Sequence, residues 1–92
     1  MSIQHDPQHS RFFEEVPGGT AELVYRRVDE HTVDLLHTTV PVAASGKGIA
    51  GQLVQAAFDW ARGTGTGLVV HCPYVTRWLE RHPEQRDLVR RP

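Results

Sequence analysis

Residues Ser45-Gly46-Lys47-Gly48-Ile49-Ala50-Gly51 satisfy the pattern G-x-G-x-x-G and precede an apolar periodic segment. Glycines so spaced before a helix let backbone amides approach a phosphate. A dinucleotide fingerprint also requires a carboxylate about 20 positions on, to hold a ribose. His71 and Cys72 stand there instead. A nucleoside triphosphate loop requires Ser or Thr after its lysine, and Lys47 is followed by Gly48. The loop therefore grips some other pyrophosphate, or it is a turn that lets the helix pack closely. Cys72, the single cysteine, ends an apolar run just before Pro73 and a helical pattern. A sulfur near a helix N-terminus favours thiolate, whereas a thiol buried at a strand end is inert, and both readings stand. His37, on a neighbouring strand, is the candidate acceptor of the thiol proton; a histidine hydrogen-bonded within the sheet is the alternative. His71 adjoins Cys72 in sequence and so points to the opposite sheet face, a poor position for a base acting on that sulfur. Of the six histidines only His5 and His9 have helical ligand spacing, and Pro7 between them argues against a helix, so no metal site is expected.

These groups need elements to hold them. Ninety-two residues support one core. Residues 1–10 are polar and aperiodic and read as a flexible leader, with the folded domain at 11–92. Arg11 to Val16, Ala21 to Val28 and Thr32 to Val40 alternate or are β-branched, and short turns join them, which predicts an antiparallel meander. From Ile49 the period changes: Ile49, Leu53, Ala56, Ala57 and Trp60 form one helix face, with Gln52, Gln55, Asp59 and Arg62 opposite, and "GTGTG" stops it. Gly67 to Cys72 is a short strand after a helical crossover, hence parallel to the third strand. Tyr74 to His82 is a second helix, with Val75, Trp78 and Leu79 inward, halted by Pro83. The fold class is α/β, with a mostly antiparallel sheet of about four strands and two helices.

Charge is nearly balanced, ten Lys and Arg against eleven Asp and Glu, with no basic stripe, which argues against nucleic-acid binding. No apolar stretch approaches a membrane span and no signal-peptide pattern opens the chain, so a cytoplasmic location is expected.

The strings "HTTVP", "SGKGIAGQLVQAAFDWAR" and "VVHCPYVTRWLERHPEQRDLV" together resemble the small single-domain branch of the GNAT superfamily of N-acetyltransferases, over about Arg11 to Val89. The resemblance implies a loop that grips the pyrophosphate of acetyl coenzyme A, with Gly46 and Gly48 in its two glycine positions. Lys47, Ile49, Ala50 and Gly51 belong to the same cradle. It further implies a sheet splayed between the strands ending at Val40 and Cys72, with the pantetheine arm in the gap and Tyr74 beside it. Cys72 occupies the place of a cysteine proposed in acetyl transfer. Tyr74 can give a proton to the departing thiolate or pack on Trp78, and Arg77 and Arg81 can meet the adenosine phosphate or remain solvated. Three positions depart from the pattern: Ala43 replaces Gln or Arg, Ser45 replaces a frequent Arg, and Thr39 replaces the carboxylate of "HTEVP".

The expected function is acetyl transfer from acetyl coenzyme A to an unidentified amine, on a small molecule or a protein. Direct attack or a Cys72 thioester would serve. A non-catalytic acyl-coenzyme A sensor or interaction module is the competing reading, and a protein binding NAD or ATP is the third. The chain is expected to be a monomer or weak homodimer.

Overall fold

The computed structural model describes residues 3–91. Five strands form one sheet in the order β1 to β5: β1 Gln4–Asp6, β2 Arg11–Val16, β3 Gly19–Asp29, β4 Thr32–Thr39 and β5 Gly67–Val70. Strands β1 to β4 pair antiparallel in sequence order. β5 runs parallel to β4, from Thr32↔Gly67 to Leu35↔Val70. The parallel pair is reached through α1, Ile49–Thr64, and the chain then enters α2, Pro73–Arg81. The α/β architecture is thus a meander extended by one helical crossover.

The first strand corrects the expected leader. Gln4–Asp6 pair with Arg11–Phe13, and a 3-10 turn over Pro7–His9 connects them. Side-chain chemistry holds this short strand where periodicity gives no signal. His5 stacks on Phe12 with ring centroids 4.2 Å apart, lies 4.9 Å from Trp60, and brings its Nε2 to 2.6 Å from the Tyr25 hydroxyl. Burial of the imidazole holds the His5 pKa below its ordinary value. Residues 1 and 2 of the expected leader lie outside the described residues.

One sheet face carries the core. Phe12, Leu23, Val33, Leu35 and Leu68 meet Leu53, Val54 and Phe58 of α1 and Val75 and Leu79 of α2. Phe58 and Trp78 join the helices, ring centroids 4.9 Å apart. The buried stripe of α1 is wider than its periodicity suggests. Val54, Phe58 and Ala61 are fully buried, because the helix is covered by α2 as well as by the sheet. A 3-10 segment, Pro83–Leu88, closes over α1, with Leu88 in the core and Asp87 accepting two hydrogen bonds from Arg62. After it the chain rejoins the sheet, the Arg90 amide donating to the Leu68 carbonyl.

Among the described residues no helix packs on the opposite sheet face. Between Val24/Tyr25 of β3 and the facing residues of β4 the register slips, with Tyr25 opposite Leu35 and Val24 opposite His37. Leu36 is the extra residue of a β-bulge, and it reverses the alternation that follows.

Candidate active site

The glycine loop begins where β4 ends. Pro41 leads into a 3-10 turn over Val42–Ala44, and Gly46 and Gly48 then take φ of 79° and 77°. These values are left-handed, a region costly to other residues. Nothing lies within 4 Å of where a Cβ would stand on either glycine, so the loop surface is open to an approaching ligand. The first helical bond of α1 runs from the Gln52 amide to the Gly48 carbonyl, and no side chain caps the helix. The amides of Ile49, Ala50 and Gly51 therefore have no acceptor within α1. Free donors at the positive end of a 16-residue helix form a cradle for an anion.

A cavity of about 280 Å³ opens beside this cradle, lined by Val40, Ser45, Gly46, Ile49, Ala50 and Tyr74 among others. Of the predicted cradle residues, Val40, Gly46, Gly48, Ile49, Ala50 and Tyr74 line it. Lys47 is exposed at the loop tip. Gly51 faces the Tyr74 hydroxyl, which would stand 3.4 Å from an added Cβ. Tyr74 thus crosses to the start of α1, while Trp78 stacks on His82 with centroids 4.2 Å apart.

Strands β4 and β5 part before this cavity, whose lining includes Val40 and Tyr74 from the two segments that follow them. Their last pair is Leu35↔Val70, after which the amides of His71 and Cys72 both donate to the Leu35 carbonyl, at 3.0 and 3.1 Å. β4 continues alongside β3 to Thr39 while the other chain turns into α2. The β5 side of β4 is left without a strand partner beyond Leu35, among the described residues, and such an edge can bond an extended ligand.

Cys72 is 2% exposed and belongs to the apolar cluster. Its Sγ lies 3.4 Å from the Thr38 hydroxyl. His37 is not brought to it. The bulge at Leu36 sets His37 opposite Val24, on the uncovered face, and Thr38 opposite the core residue Leu23. Without the extra residue His37 would continue the inward series of Val33 and Leu35.

The uncovered face presents a constellation absent from the predicted site. His71 sits there, as its adjacency to Cys72 requires, with Nδ1 2.7 and 2.8 Å from the two carboxylate oxygens of Asp34. Asp34 is 1% exposed and also accepts from Arg26 at 3.3 Å. A signal for this pair was present in the chain. An aspartate inside the apolar run "VDLL" is rarely buried unless partnered. Among the described residues no three His, Cys, Asp or Glu side chains converge as a metal-ligand set, and no helix is long and apolar enough to cross a membrane.

The sequence and the fold both have counterparts in known proteins. Residues 11–88 match the sequence profile of the GCN5-related N-acetyl-transferases. The chain belongs to that family. Protein NATD1 of Xenopus tropicalis is 33% identical over 98% of this chain and 84% of its own length. Protein NATD1 of Homo sapiens is 32% identical, over 98% and 81% respectively. The fold is also that of a GCN5-like protein from Staphylococcus aureus solved by NMR, with a TM-score of 0.75 at 22% identity, covering 99% of this chain and 89% of that one.

Proposed function

We propose that this chain binds acetyl coenzyme A and transfers its acetyl group to an amine by direct attack. The observation that carries the reading is the cradle itself. It combines uncapped amides of Ile49 to Gly51, two left-handed glycines with open space before them, and a cavity lined by Val40 and Tyr74, which lie beyond the parting strands. A pyrophosphate fits the amides, and an extended arm fits the unpaired edge of β4. Lys47 adds a positive charge at the loop tip. The thioester would then lie near the Leu35 carbonyl, where the strands part, with Tyr74 on the same side to return a proton to the leaving sulfur. Burial of Cys72 and its pairing with a hydroxyl, not with an imidazole, favour direct attack over an acetyl-cysteine route.

The test is release of free coenzyme thiol from acetyl coenzyme A in the presence of a panel of amines. Amine-dependent release is expected, and Lys47→Ala should weaken coenzyme binding by about 1 to 2 kcal/mol through a lost charge-assisted contact. Tight coenzyme binding with no release by any amine would favour the sensor reading, in which Thr39, in place of a carboxylate, has removed turnover.

A further inference from the structure

A second cavity, of about 410 Å³, opens on the uncovered sheet face, away from the glycine loop. Arg26, Asp34, Val69, His71, Arg90 and Arg91 are among the residues that line it. We infer that this groove receives the acceptor, an amine that also carries a carboxylate, and that His71 takes the amine's proton. The inference rests on the acetyl-transfer reading above and supplies its acceptor class.

Asp34 anchors the groove. A carboxylate withdrawn from water on a strand is strongly destabilising unless charged or donating groups surround it. An ionised carboxylate only accepts hydrogen bonds, so Nδ1 of His71, 2.7 Å from it, must carry the hydrogen. Nδ1–H fixes the tautomer and leaves the Nε2 lone pair of neutral His71 unused by any hydrogen bond among the described residues. The His71 side chain is 55% exposed and lines the groove. An imidazole oriented by a buried carboxylate and open to a cavity is built to accept a proton, and Asp34 is its positioning residue.

The groove also selects for charge. Arg26 stands opposite Asp34 in the β3–β4 register. Arg90 is brought in by the return of the chain along β5, and its stem lies across Gly67, where an added Cβ would meet Arg90 Cγ at 2.7 Å. Arg91 follows it. Three arginines and two aspartates, Asp29 and Asp34, line the groove; Asp34 is engaged by His71 and Arg26, Asp29 accepts from the His31 amide, and Arg90 Nη1 donates to the Asp87 and Val89 carbonyls while keeping its charge. The remaining positive charge suits a carboxylate on the acceptor, which guanidinium groups bind in a planar, two-pronged way.

Position links the groove to the reaction. His71 is the residue after the last β5 position and is bonded through its amide to Leu35, where the strands part. An amine in the groove therefore reaches the thioester from the face opposite Cys72. In the transfer, His71 Nε2 takes one proton from the arriving ammonium. The freed nitrogen lone pair forms the C–N bond as the C–S bond breaks, Tyr74 gives its hydroxyl proton to the coenzyme sulfur and is reprotonated as the second nitrogen proton is lost, and His71 returns its own to solvent. The products are an N-acetyl acid and free coenzyme thiol.

The experiment measures thiol release with glycine, β-alanine and glutamate, with their neutral amides, and with spermidine, beside calorimetric binding of acetyl coenzyme A. The amino acids should be preferred over their amides. Arg90→Met should raise the KM for the preferred amino acid about tenfold or more with coenzyme affinity unchanged. His71→Gln should lower kcat on the order of 10²-fold or more, again with coenzyme affinity unchanged. Both side chains are exposed, so both variants should fold, which circular dichroism checks. Coenzyme binding with equal use of amides or spermidine, with no turnover of any amine, or with a His71→Gln rate near wild type overturns this inference and leaves the coenzyme reading standing. Failure to bind acetyl coenzyme A overturns both.

Discussion

Thr38, and not its neighbour His37, shares a sheet face with Cys72, its hydroxyl 3.4 Å from the sulfur. The cause is one inserted residue in β4, Leu36, which turns His37 to the open face and Thr38 inward. The thiol is thereby separated from the imidazole that would have activated it, while two histidines, His37 and His71, are set on the side from which we propose the amine arrives.

The first prediction follows from that separation. Cys72→Ala should retain turnover within a few-fold of wild type and lose about 1 kcal/mol of stability from the small cavity it leaves. Intact mass after incubation with acetyl coenzyme A should show no acetyl adduct on the wild-type protein. A labile adduct that vanishes in Cys72→Ala would restore the covalent route.

Glu14 yields a stability prediction. It lies on the core face of β2, opposite Ala21, at 4% exposure, and its Oε1 has no hydrogen-bond partner among the described residues. A buried, unpaired acceptor costs about 1–3 kcal/mol. Glu14→Met, which keeps the volume and removes the polar atoms, should therefore raise the unfolding midpoint in urea. A lowered midpoint would show that the carboxylate has a partner that stabilises the fold.

His5 makes stability depend on pH. Burial lowers its pKa below the ordinary 6.5, so the unfolded chain binds a proton before the folded one does. Stability is then fully present above about pH 6.5 and is lost as pH falls from there through the lowered folded value. Melting temperature should drop between pH 7 and 5, and His5→Phe, which keeps a ring against Phe12, should flatten that dependence. Asp6, held low by its hydrogen bond from His9, contributes in the same direction, in a window below about pH 3.8. An unchanged slope in His5→Phe would assign the titration to another group.

Much of this fold was legible because its elements follow simple periods. Alternation in Arg11 to Val16 and Ala21 to Val28, the four-residue spacing of Ile49 and Leu53, and the crossover before Gly67 dictate a meander with one parallel strand. The glycine loop was legible too, since its letters encode backbone conformation directly. Other features depend on partners distant in sequence. β1 is three residues long and is held by Phe12, Tyr25 and Trp60 around His5, none of them local. The bulge at Leu36 leaves no mark on residue type, so the facing of His37 could not be read by counting in twos. Asp34 and His71, 37 positions apart, meet only through the parallel register.

In the proposed function, the loop from Gly46 to Gly51 holds the pyrophosphate of acetyl coenzyme A. Isothermal calorimetry on the wild-type chain and on Gly48→Val tests it most directly, with NAD as the competing ligand and circular dichroism to verify folding. Valine at φ 77° strains the backbone by about 1–2 kcal/mol and places side-chain bulk in the open space before the amides. Acetyl coenzyme A should bind with affinity on the order of micromolar, NAD far more weakly, and folded Gly48→Val should lose coenzyme binding. NAD binding as tight as that of the coenzyme, or undiminished coenzyme affinity in folded Gly48→Val, would contradict it.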